Sequence, residues 1–87
     1  MLDKTTNDDR AEWAEKALDT FAEVTGLDRS GDKEDKELLV GDMISDLMHY
    51  CDREGLDWSV VTGRGGDHYR EEKWEDEQDA RESATDA

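Results

Sequence analysis

The chain has 87 residues, 33% apolar and 43% charged, and its 26 acidic against 11 basic residues leave a formal net charge of −15. Globular chains are roughly 45–50% apolar, so this length and composition fit one domain with a thin core and exclude a second one. The acid excess is spread, with 8 acids to 4 bases in residues 1–30, 9 to 3 in 31–57 and 9 to 4 in 58–87. It argues against ordinary nucleic-acid binding, because each phosphate contact needs a cation.

The N-terminus MLDKTTNDDR has neither the basic start nor the apolar run of a signal peptide, and no apolar stretch approaches the about 18 residues of a membrane span. The expectation is a cytoplasmic chain that anionic lipid repels. A lone cysteine, Cys51, builds no disulfide framework, and its apolar neighbours make it a small core residue.

Residues 1–7 read as a flexible N-terminus. The first helix is predicted from about Asp8 to Thr25, capped by Asp8 or Asp9 and closed by Gly26. Trp13, Ala17, Phe21 and Val24, with Ala14 and Leu18 beside them, recur at three and four residues and mark one apolar face. Asp8, Glu12, Glu15, Asp19 and Glu23 recur at intervals of 4, 3, 4 and 4, an acidic stripe of about 22 Å.

The polar run LDRSGDKEDKE marks a turn. A second helix begins near Asp32 to Asp35 and ends at Gly55, with two apolar rows, Leu39, Met43, Leu47, Tyr50 and Val40, Ile44, Met48, Cys51, that make it the expected core. Asp35, Asp42, Asp46, His49 and Arg53 lie opposite. Those two rows, together with Trp13, Trp58 and Trp74, exceed what one thin three-helix unit covers, which predicts a homodimer.

Asp57 is placed to cap a third helix in which Trp58, Val61, Gly65 and Tyr69 share a face. Gly63, Gly65 and Gly66 leave three alternatives open: close packing through small residues, a break at GRGG with a restart at Asp67, or a phosphate-cradling loop. The last lacks a preceding strand and a Lys-Ser or Lys-Thr partner. The helical domain spans 8–74, and residues 75–87, with Arg81 as the only base and no large apolar side chain, read as a disordered acidic tail. The predicted class is therefore all-α, a helical hairpin with a third helix.

The run GDMISDLMHYCDREGLD, followed by HYREE, resembles small acidic helical proteins that recur in phage and plasmid genomes, with an Asp-Leu-Met-His helix, an Asp-x-x-Gly turn and a closing His-Tyr. Over about 35 residues the chain is also similar to the second half of MazG-type all-α NTP pyrophosphatases. In that family an E-x-x-E on one helix and an E-x-x-D on the next hold Mg²⁺ against a triphosphate. The resemblance places Glu12 and Glu15 in the E-x-x-E and Asp42 in the second motif, where Leu39 stands in place of the other glutamate, so the implied ligand set is incomplete.

Three functional readings follow. In the first, Glu12, Glu15, Asp19, Glu23, Asp42 and Asp46 meet the lysines and arginines of a nucleic-acid-binding protein in place of phosphates, as an inhibitor of mobile-element type without enzymatic activity or cofactor. In the second, the chain is a degenerate MazG-like hydrolase. In the third, acidity only solvates a regulatory helical dimer in a high-salt cell, since aspartate outnumbers glutamate 15 to 11 and lysines number 5. A divalent cation on Asp42, Asp46 and His49, with His68 nearby, is a further alternative at spacing 4 and 3.

Overall fold

The computed structural model describes residues 5–27 and 31–85, the last four of these by backbone alone. Its three helices are α1 (Asn7–Thr25), α2 (Lys33–Glu54) and α3 (Trp58–Thr85), with no strand among the described residues. The all-α class is as the periodicity predicts.

Helix α1 starts on a capping box. The Asp9 amide donates to Thr6 Oγ1 at 3.0 Å, and the Thr6 amide donates to Asp9 Oδ2 at 3.0 Å. Thr6 is therefore the cap, where the sequence pattern suggests Asp8 or Asp9; Asp9 is the reciprocal partner three residues on. Of the N-terminal segment 1–7, residues 1–4 lie outside the described residues. At the far end Gly26 adopts φ 76°, and its amide donates to the Ala22 carbonyl at 2.8 Å.

Helix α2 is capped by Asp32, whose carboxylate accepts from the Asp35 amide at 3.1 Å. It closes in a Schellman turn: Gly55 at φ 69° donates to the Asp52 carbonyl, and the Leu56 amide reaches the Cys51 carbonyl at 2.8 Å. Asp57 caps α3, its Oδ1 accepting from the Ser59 amide at 2.9 Å and the Ser59 hydroxyl at 2.6 Å.

Helix α3 runs unbroken through GRGG. A Cβ built on Gly63 or Gly65 meets nothing within 4 Å, and on Gly66 it meets only the end of the Arg70 side chain at 3.3 Å. Within this chain, then, neither a break nor close packing accounts for these glycines. The helical ladder absorbs their propensity cost of about 1 kcal/mol each. The backbone stays helical to Thr85, while after Trp74 no large apolar side chain ties the acidic tail to the rest of the domain.

Helix α1 packs against both α2 and α3, which meet each other least. Among the described residues only Ala22, Leu39 and Cys51 are buried. The apolar face predicted for α1 is divided: Leu18 and Phe21 are half-buried, whereas Trp13 and Val24 stand 58% and 80% exposed. The physical reason is that α1 also turns polar Asn7 and Arg10 inward, toward α3. On α2 the predicted core is likewise partial, with Leu39 and Cys51 at 4% exposure and Met43 half-buried, but Leu47 at 43%.

Candidate functional site

The acidic stripe is exposed, as its spacing predicts. Asp8, Glu12, Glu15, Asp19 and Glu23 are all exposed along α1. At 1.5 Å per residue they supply one carboxylate per about 5.6 Å of axis, against one phosphate per about 3.4 Å along a DNA strand. The stripe is sparser than a nucleic-acid backbone but of the same order.

Its N-terminal half borders a groove of about 620 Å³ between α1 and α2. Asp8, Glu12 and Glu15 line this groove from α1 together with Leu18, and Lys36, Leu39 and Val40 line it from α2. Sequence spacing alone sets the acids away from the packing face, so their place beside α2 is a tertiary result. Lys36, a cation across the groove from these carboxylates, is the residue that the sequence reading passes over. Its signal is its position three and four residues ahead of Leu39 and Val40, on the same side of α2.

Next to the stripe, α1 is fixed to α3 by a polar cluster. Arg10 Nε lies 3.0 Å from Glu72 Oε2, Arg10 Nη1 donates to Asn7 Oδ1 at 2.8 Å, and Asn7 Nδ2 donates to the Glu72 carbonyl at 3.3 Å. Both charged side chains are about two-thirds covered. This contact takes one of the few cations into the fold and sets the angle at which α1 presents its acids.

Asp42 and Asp46 are exposed on α2. Asp42 lines a separate depression with Glu34, Glu37 and Leu38, so it does not join Glu12 and Glu15 in their groove. Leu39, in the position where the pyrophosphatase resemblance needs a glutamate, is 4% exposed and carries part of the core. Among the described residues no three His, Cys, Asp or Glu side chains come together as a metal-binding group; this includes Asp42, Asp46, His49 and His68.

Asp57 is a carboxylate with a lowered proton affinity. The Ser59 hydroxyl, then the Ser59 and Val60 amides, hold its carboxyl below the usual aspartate range. It is a helix cap and lies away from the groove.

No helix among the described residues is long and apolar enough to cross a membrane. No family model, curated protein or solved structure matches this chain.

Proposed function

We propose that this chain acts by binding rather than by catalysis: α1 offers its acids to the basic, nucleic-acid-binding surface of another protein and keeps nucleic acid off that surface. The observation that carries this reading is the exposed run Asp8, Glu12, Glu15, Asp19, Glu23 on one rigid helix, in a chain of net charge −15. Carboxylates at fixed spacing attract lysine and arginine side chains over a Debye length and fix their register on contact. Exposed Asp42 and Asp46 extend the field along α2. The resemblance to phage and plasmid proteins points to a host defence or DNA-handling protein as the partner.

The test is capture from host lysate by the immobilised chain, followed by elution with short duplex DNA. Captured basic proteins that DNA displaces, and that the variant E12Q/E15Q/D19N/E23Q no longer holds, support the reading. Capture unchanged by the four substitutions overturns it and leaves the stripe as a solvated face.

The groove supports a second reading. Glu12 and Glu15 stand with Lys36 beside a 620 Å³ space large enough for a nucleotide, as a degenerate pyrophosphohydrolase requires. Mg²⁺-dependent release of pyrophosphate from nucleoside triphosphates, lost in Glu12→Gln or Glu15→Gln, is the result that would put this reading first.

A further inference from the structure

The chain exposes more surface than a compact monomer of its size retains. Its accessible surface is 7329 Å², against about 5,200 Å² for a compact protein of 9.9 kDa. Its radius of gyration is 16.5 Å, against about 12 Å for a compact chain of this length. Fourteen large apolar side chains among the described residues are 40% or more exposed. The surplus, on the order of 2,000 Å², exceeds the about 800 Å² that each partner gives to a stable interface.

Part of that surface is organised. On α2, Val40, Ile44, Leu47 and Met48 stand at i, i+4, i+7 and i+8, each 43–45% exposed. The stripe opens at its N-terminal end into a shallow groove of about 600 Å³, where Val40, Gly41 and Ile44 are flanked by Lys33, Lys36 and Glu37.

We propose that this stripe is the interface of a homodimer, in which a second copy of the chain lays its α2 antiparallel across the first. A two-fold axis at Ile44 makes the surface self-complementary. Val40 then faces the partner's Met48, and Leu47 faces the partner's Gly41. A Cβ built on Gly41 meets nothing within 4 Å in one chain, so the gap is open to a large side chain. The same register brings Lys36 toward the partner's Asp52. One of the 5 lysines of an acidic chain thus meets a carboxylate across the seam. Antiparallel α2 helices also set their dipoles in opposition. The proposal holds whatever the acids of α1 bind.

Sedimentation equilibrium of the full chain at tens of micromolar, with cross-linking as a second measurement, tests it. Expected is a mass of twice 9.9 kDa for the wild type and a dissociation constant raised about a hundredfold or more in Ile44→Glu, which sets two carboxylates face to face on the axis. Should that variant fail to fold, Ile44→Cys keeps the question open to measurement. On mild oxidation it forms a disulfide between copies, while Asp46→Cys and the parent, whose Cys51 is buried, do not. A wild type at monomer mass throughout overturns the proposal. So does a dimer whose Ile44→Cys variant cross-links no faster than Asp46→Cys.

Discussion

Arg10 on α1 and Glu72 on α3 meet at 3.0 Å, sixty-two positions apart in the chain, and Asn7 closes the cluster by bonding to both residues. In a domain with three buried residues among those described, this polar contact does what a larger core does elsewhere: it holds the longest helix to the first. Its partners are each about one-third exposed, so water screens part of the attraction. Arg10→Ala is expected to lower stability by about 1 kcal/mol, with a coupling to Glu72→Gln of about 0.5 kcal/mol in a double-mutant cycle read by urea unfolding. A coupling near zero would reduce the contact to a surface ion pair.

Leu39 and Leu47 share one face of α2 but not one environment, at 4% and 43% exposure. Leu39→Ala should cost about 2–4 kcal/mol, a large part of the stability of so small a domain, and the loss should not depend on protein concentration. Leu47→Asp acts through the proposed seam, so its melting temperature should rise with concentration less steeply than that of the wild type, and its deficit should grow with concentration. Equal concentration-independent losses in both variants would contradict this division.

The glycines of α3 offer a gain in stability. Gly63→Ala and Gly65→Ala add a methyl group to open space, and each is expected to stabilise the helix by about 0.5–1 kcal/mol in thermal unfolding. A destabilising result would show that this side of α3 is covered by something other than the chain itself.

Asp57 makes a directional pH prediction. Its carboxyl is held below the ordinary range in the folded state, chiefly by the Ser59 hydroxyl, so the unfolded chain takes up the proton first. The stabilisation is fully present above the unfolded-state value and is lost as pH falls through the lowered folded-state value. The advantage of wild type over Asp57→Ala should therefore be constant near neutrality and shrink below the ordinary aspartate range. Parallel melting curves down to strong acid would refute it.

For the acids of α1, the four substitutions of Glu12, Glu15, Asp19 and Glu23 should leave the circular dichroism spectrum unchanged, since these residues are exposed. Affinity for a basic partner should fall about tenfold to a few hundredfold, at about 1 kcal/mol or less per rim charge. The salt dependence of binding should shrink with it, as measured by titration at two ionic strengths.

What the sequence by itself determined is local. Gly26 and Gly55 end their helices because αL backbone there needs no Cβ, and Asp32 and Asp57 start theirs because their carboxylates reach amides two or three residues on. Such contacts form within one turn, so spacing alone exposes them, as it exposes the 4, 3, 4, 4 run of acids on α1. At the start of α1 the pattern points to Asp8 or Asp9, whereas the reciprocal bond with Asp9 makes Thr6 the cap.

Tertiary structure decided which apolar residues are buried and which acids border the groove. Periodicity marks Trp13, Val24 and Phe21 as one face, yet α1 is covered from two sides, so Phe21 turns inward while Trp13 and Val24 stay in water. It marks Leu39 and Leu47 alike, yet only Leu39 lies where α1 crosses. Glu12 and Glu15 share a groove with Lys36, and Arg10 meets Glu72, for the same reason. Helical period names the face of a single helix, whereas burial and charge pairing depend on where distant helices lie across it, and that is fixed by long-range contacts which no local spacing encodes.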